Sequence, residues 1–353
     1  VIRPEPTQEE IPRNLVDKTS DPESVAEALI AGETFLVSDL FSTGLNILAA
    51  LRRTLDGGRP RDSHKDERAF RAAFKQASAR LLVPIKDNRI DLQNAPEIGW
   101  LKELYSDISK FVLTFPQVQG LNSSWQWYTK GTQMPVLHRR LHPFYGTYFP
   151  SRFEHLELFA DWLKKYRGNQ NLAIDVGTGC GVLAFQLSQA HWPQVLATDI
   201  NPNALESVRR ELKRKPVKGE IKTEEADLLG EGEELADLIV FNPPWLPGKM
   251  HNALDLAMYY PPDLFDRFFR VASKRLAPQG RVVVVFSNLL QIEGSASEHP
   301  VRKELEKGGR FVLAQRLEGK VSPSSKKTKR RKRAPSKELV ELWELQRTSA
   351  SSD

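Results

Sequence analysis

Seven consecutive residues, Asp175-Val176-Gly177-Thr178-Gly179-Cys180-Gly181, have the types that let a small molecule touch bare backbone. The glycines remove Cβ atoms that would stand in its way, and an acid precedes them. A β-branched run before the loop and a helical pattern after it put it at the C-terminal edge of a parallel strand. A dinucleotide fingerprint needs a third glycine three positions after the second; Val182 stands there and the extra glycine is Gly181, so a dinucleotide is the weaker reading. Twenty residues beyond Gly179, Asp199 closes the next strand, where a carboxylate accepts both hydroxyl hydrogens of a ribose. Asp175 is placed for an amino-acid ammonium, and Asp227, closing a third strand, for an exocyclic adenine amine. A ligand that carries ammonium, ribose and adenine is S-adenosylmethionine. Gly177, Thr178, Gly179 and Gly181 are expected around it, with Asp175, Asp199, Asp227 and, from the next strand, Asn242.

Asn242-Pro243-Pro244-Trp245 ends a fourth strand beside the same crevice. A planar amide or exocyclic amine delocalises its lone pair. Its nitrogen is a weak nucleophile unless both N–H hydrogens are held by acceptors while the nitrogen faces an electrophilic carbon. The Asn242 side-chain oxygen and the Pro243 carbonyl supply two acceptors, the prolines stiffen the loop, and Trp245 offers a face for a flat acceptor. Positioning does most of such chemistry, without a metal or a covalent intermediate. Cys180 has no base nearby and reads as a small filler at a helix start. His138 and His142 are four apart, but Pro135 and Pro143 argue against the helix that would align them on a metal.

These residues resemble class I S-adenosylmethionine-dependent methyltransferases of the N-P-P-aromatic type. Within that class they look like the HemK-like group, which methylates a glutamine amide in peptide release factors; adenine-amino methylating enzymes are cousins. The resemblance covers about residues 148–347 and is strongest at 175–181, Asp199 and 242–245. It implies an α/β, Rossmann-like, doubly wound and mostly parallel sheet. It also implies that the loop glycines and three acids contact S-adenosylmethionine, and that Asn242 and Pro243 grip the target nitrogen. Arg152-Phe153-Glu154 looks like the family's Arg-Pro-Glu segment, which puts Arg152 and Glu154, with Trp245, on the substrate side. Trp245 stands where the family usually has Tyr, and Phe153 with Pro150 departs from the upstream pattern.

The elements that must position these groups follow from periodicity. Strands are expected at Leu172–Val176, Gln194–Asp199, 221–227, 238–242 and 281–287, with helices at 181–190, from 202 to about 215, and at 262–276. Pro278-Gln279-Gly280 is expected to close the last of these helices, and 281–287 is apolar enough to be covered on both faces. Residues 311–316 and 339–345 read as a closing β pair. Upstream, Val25 and Leu29, then Phe41, Leu45 and Leu48, then Phe70, Phe74, Ala77 and Leu81 keep a helical spacing. Three parts result: a mostly helical domain at 1–119, an aromatic and basic connector at 120–152, and a catalytic domain at 153–353.

With 353 residues, 40% of them apolar, the chain exceeds the ~100–200 residues of one domain. No window approaches the ~18 apolar residues a bilayer crossing needs, and the first residues lack an apolar core behind a basic start. With a single cysteine this suits a reducing, cytoplasmic setting. The net charge of +6 is local: residues 320–337 hold nine Lys/Arg and no acid, leaving 42 basic against 45 acidic residues elsewhere. That segment reads as an insertion in a hairpin whose cations at 326–333 make nonspecific polyanion contact. The expected activity is methyl transfer to a planar nitrogen, foremost a glutamine amide in a protein of the translation apparatus. Adenine N6 methylation of rRNA or DNA is the enzymatic alternative, and a non-catalytic RNA- or ribosome-binding module is the alternative of another class.

Overall fold

A computed structural model describes residues 1–7, 14–57, 64–248, 259–292, 298–321 and 338–348. It divides into two compact units, Arg3–Thr129 on one hand and Lys130–Asp353 with Val1–Ile2 on the other. The first unit contains β1 (Leu15–Val16), α1 (Pro22–Ala31), β2 (Phe35–Val37), α2 (Phe41–Asp56), α3 (His64–Ser78), β3 (Leu81–Lys86), β4 (Arg89–Ile90), α4 (Gly99–Leu104), β5 (Lys110–Thr114) and α5 (Phe115–Lys130). Asp21 caps α1 by accepting from the Ser24 amide, and Pro22 fills the first turn.

Helices dominate this unit, but the helical expectation missed its five-stranded sheet, in which β4 and β5 run antiparallel to β3. Leu81, counted as the end of a helical stripe, opens β3 instead, and Leu81, Leu82, Val83 and Ile85 are all buried. A strand covered on both faces shows no alternation to separate it from a helix. The expected boundary at 119/120 also needs correction, because it falls inside α5. Trp125 and Tyr128, assigned to the connector, lie on that helix and pack on Trp100 of the same unit at 5.1 and 4.5 Å.

The second unit has near its start a short antiparallel pair, β6 (Thr132–Gln133) and β7 (Arg140–Leu141), whose Leu141 joins its core together with Met134 and Leu137 from the connecting turn. The rest of the expected connector is thus part of this unit. Next come α6 (Glu154–Lys165), β8 (Leu172–Val176), α7 (Val182–Gln189), β9 (Gln194–Asp199), α8 (Pro202–Arg214), β10 (Glu220–Glu225), β11 (Ala236–Phe241), β12 (Leu246–Pro247) and β13 (Tyr259–Tyr260). The series ends with α9 (Leu264–Arg275), β14 (Leu276–Ser287), α10 (Leu289–Ile292), α11 (Pro300–Lys307), β15 (Phe311–Lys320) and β16 (Leu339–Arg347).

Seven strands form one sheet in the order β10-β9-β8-β11-β14-β16-β15. Neighbours from β10 to β14 are parallel, and β16 is antiparallel to both β14 and β15. Alternate residues feed opposite faces. Leu238 and Val240 pack with Phe159 of α6 and Leu183 of α7, while Ile239 and Phe241 pack with Phe265 and Phe268 of α9. This is the expected Rossmann-like, doubly wound sheet. Its winding reverses between β8 and β11, which opens a crevice at the C-terminal strand ends.

Three local expectations change. β10 stops at Glu225, so Asp227 lies two residues beyond it. Residues 276–280 belong to β14, where a register shift opposite Ala236 and Leu238 absorbs Pro278 without asking it for an N–H. Lys320, counted with the basic insertion, instead pairs with Leu339 inside the β15–β16 ladder, and Val321 donates to the Glu338 carbonyl, so the hairpin extends two residues into that segment. Residues 322–337, which include the cations at 326–333, lie outside the described residues. Among the described residues no helix is long and apolar enough to cross a membrane.

Candidate functional site

A cleft of about 560 Å³ opens at the C-terminal ends of β8, β9 and β11, within the size range of small-molecule sites. Parallel packing carries Asp175 into it on β8, where the residue is 1% exposed. Its Oδ2 accepts from the Thr178 hydroxyl at 2.7 Å and the Ala184 amide at 3.0 Å, whereas Oδ1 is buried without a partner. Burial pushes the carboxyl up to about 7 against the pull of those two hydrogen bonds. A buried carboxylate oxygen lacking a donor fits a ligand ammonium, which would supply both hydrogens and charge.

Thr178 lines the cleft, but its hydroxyl is committed to Asp175. Gly177 and Gly179 also line it, at φ of 65° and 54°, a left-handed backbone that favours glycine. The Gly179 amide donates to Asp199 Oδ2 and the Asn201 amide to Asp199 Oδ1, each at 2.8 Å. Asp199 therefore ties the glycine loop to the end of β9, and each oxygen keeps a second lone pair for a ribose hydroxyl. Burial raises its pKa, opposed by hydrogen bonds from the Asn201, Gly179 and Ile200 amides.

Gly181 is not among the cleft-lining residues. It caps α7 at φ 86°, and a Cβ there would sit 2.9 Å from both Phe185 and Val208. Its glycine serves the close approach of α7 and α8. Asp227 lines the cleft but is exposed, and Arg267 of α9, which also pairs with Asp263, forms an ion pair with it. Nothing in the spacing of Asp227 and Arg267 announces that pairing. Cys180 is buried, which pushes its thiol up to about 12 and leaves it protonated and inert.

Opposite this wall, Asn242, Pro243, Pro244 and Trp245 follow directly on β11 and all line the cleft. The Trp245 indole N–H donates to Asn242 Oδ1 at 3.2 Å. His155 of α6, which the sequence reading passed over, meets the Trp245 ring edge to face, with centroids 5.4 Å apart at 85°. It lines the cleft at 3% exposure, its Nδ1 is unpartnered, and burial pushes its pKa down to about 4, so the ring is neutral at physiological pH.

Arg152 lines the cleft and donates to Glu338 at 2.7 Å. Glu338, 5% exposed and the last residue before β16, lines it too and had no signal in the sequence. Glu154, expected beside Arg152, does not line the cleft; its carboxylate accepts from the Phe153 amide in the first turn of α6. Adjacent helical residues point about 100° apart, so the turn that aims His155 inward aims Glu154 elsewhere. Among the described residues no group of three His, Cys, Asp or Glu comes together as a metal site.

Residues 156–314 match the family model described as methyltransferase small domain. Over 131 residues the chain is 30% identical to a tRNA1(Val) (adenine(37)-N6)-methyltransferase of Phocaeicola vulgatus, covering 35% of this chain and 53% of that protein. Over 164 residues it is 30% identical to a release factor glutamine methyltransferase of Deinococcus radiodurans, covering 41% and 58%. The chain thus spans about half the length of the curated relatives it matches. A crystal structure of ribosomal protein L11 methylase from Lactobacillus delbrueckii subsp. bulgaricus aligns with 59% of this chain and 84% of its own, at 18% identity and a TM-score of 0.39. The matched segment is thus similar to methyltransferase domains.

Proposed function

We propose that this protein transfers a methyl group from S-adenosylmethionine to a planar nitrogen, foremost the side-chain amide of a glutamine in a cytoplasmic protein of the translation apparatus. One observation carries the reading: a single cleft joins an unpartnered buried carboxylate oxygen on β8 to the Asn-Pro-Pro-Trp segment on β11. When bound, S-adenosylmethionine would supply an electrophilic methyl carbon, its C–S bond pair staying on sulfur as the neutral thioether, and the methylated nitrogen would give up one N–H proton to solvent. Asp175 holds the ammonium through Oδ1, Asp199 the ribose hydroxyls, and Asp227, steadied by Arg267, the adenine end. Asn242 Oδ1 and the Pro243 carbonyl accept from the two N–H bonds of the acceptor and aim its nitrogen, while Trp245 supports its flat face. Arg152 and Glu338, neutralised by each other, wall the acceptor side.

A second reading, adenine N6 as the acceptor, is favoured by the tRNA-modifying relative and by the cations at 326–333. Tritiated S-adenosylmethionine added to lysate with the purified chain separates the two. Label released by protease and not by nuclease is the expected result; release by nuclease alone replaces the glutamine with adenine. A chain that calorimetry shows not to bind the donor, and that labels nothing, is a binding module and ends the enzymatic reading.

A further inference from the structure

What selects the acceptor is written in the contact between Trp245 and Asn242, on the premise that the cleft performs nitrogen methylation. An indole Nε1–H donates and cannot accept, so the group 3.2 Å from it must be an acceptor. The Asn242 amide is therefore turned with Oδ1, and not Nδ2, toward Trp245. A tyrosine hydroxyl donates or accepts equally well and would leave that amide free to flip. The carbonyl oxygen has two lone pairs; the indole uses one, and the other remains for an incoming N–H.

Trp245 is held in turn. The His155 ring packs on it at a near-perpendicular 85°, and His155 is fixed by burial on α6. Burial keeps that imidazole uncharged, so it packs on the indole without bringing a cation to the acceptor end.

We propose that Trp245, backed by His155, is a positioning residue that locks the Asn242 oxygen toward the methyl acceptor, so that the site admits planar groups offering an N–H and refuses those with only lone pairs to present. A refused group would set its lone pair against the Asn242 oxygen with no hydrogen between them. The same chemistry serves a glutamine amide and an adenine amine, and the nuclease and protease arms of the labelling assay tell which is used.

The test starts from protein labelled with nitrogen-15 in its tryptophans, where Trp245→Phe identifies the Trp245 indole signal by its loss. Asn242→Ala is expected to shift that signal and to speed its solvent exchange severalfold, while Asn242→Asp, which accepts at either oxygen, preserves it. A signal indifferent to Asn242→Ala overturns the proposal.

Transfer to the labelled lysate fraction is read alongside. Trp245→Phe, which keeps a ring and loses the donor, should slow transfer about five- to tenfold at saturating donor, the worth of one neutral hydrogen bond, with the donor Kd unchanged. Made in the Asn242→Asp background, the same change should cost much less, because a carboxylate needs no orienting. Equal losses in both backgrounds mean simple stacking and overturn the proposal; if Asn242→Asp is inactive, the indole signal decides. Failure of the underlying reading looks different: the unaltered chain neither binds S-adenosylmethionine nor labels anything, and the positioning role falls with it.

Discussion

On the β8–β9 side of the cleft, side chains are held mainly by backbone: the Ala184 amide, joined by the Thr178 hydroxyl, on Asp175, and the Gly179 and Asn201 amides on Asp199. On the β11 side, side chains hold one another: Trp245 on Asn242, His155 on Trp245, Arg152 on Glu338. Backbone amides persist through any substitution that preserves the fold, so the first wall suits a ligand that never changes. Side-chain pairs change with single residues, so on the proposed reading the second wall is where acceptor choice would be altered without disturbing donor binding. The two walls are expected to respond separately to mutation.

The largest separation should come from Asn242→Ala, which is expected to cut transfer about 10²–10³-fold, as losing one preorganised catalytic hydrogen-bonding group does. Calorimetry should find donor affinity within about threefold of the original, since uniform binding is untouched; a parallel collapse of both would merge the walls.

Next is Asp175→Asn. It keeps an acceptor for Thr178 and Ala184 but removes the charge, and donor affinity should fall about 30-fold or more, as when one partner of a buried charged pair is lost. The pH dependence has a definite sign. With its pKa raised to about 7, the folded carboxyl keeps a proton that the unfolded chain has released above pH 4. The stability this brings is complete below the ordinary carboxylate value and is lost as pH rises through 7. Thermal melts of the ligand-free protein should therefore fall between pH 5 and 8, and Asp175→Asn should flatten that fall and melt higher at pH 8. Donor affinity of the unaltered chain should rise over the same interval, because the ionised form is the one that binds an ammonium.

The smallest effect on binding is expected from Gly181→Ala. A Cβ at φ 86° would crowd Phe185 and Val208 and should cost about 1–3 kcal/mol of stability in denaturant titrations. The folded fraction should bind the donor within about twofold of normal affinity; a larger loss would return Gly181 to the binding wall.

Chemistry with a short sequence span was legible in advance. Asp175 to Gly181 and Asn242 to Trp245 are contiguous, each following an apolar run whose strand character is plain, and strand ends fix which edge they reach. Pairings made across long separations were not. Glu338 reaches Arg152 from 186 residues away through the hairpin ladder, and Arg267 reaches Asp227 from a helix whose own pattern shows only its buried face. His155 was hidden by its neighbour, since the resemblance pointed to Glu154 and one helical step turns a residue away. In the first unit, Leu81 falls in with a helical stripe although it opens β3, because burial on both faces erases that strand's alternation.

The place of β16 also governs how the molecule can be made. β15 comes earlier in the chain yet sits outside β16, and β16 supplies the antiparallel partner for both β14 and β15. Until Leu339–Arg347 leaves the ribosome, the apolar edge from Val282 to Phe286 stays open and β15 has nothing to bond to. A nascent chain halted in the basic segment would carry a finished glycine loop beside an unsealed, sticky strand, a species for chaperones to shelter until synthesis resumes.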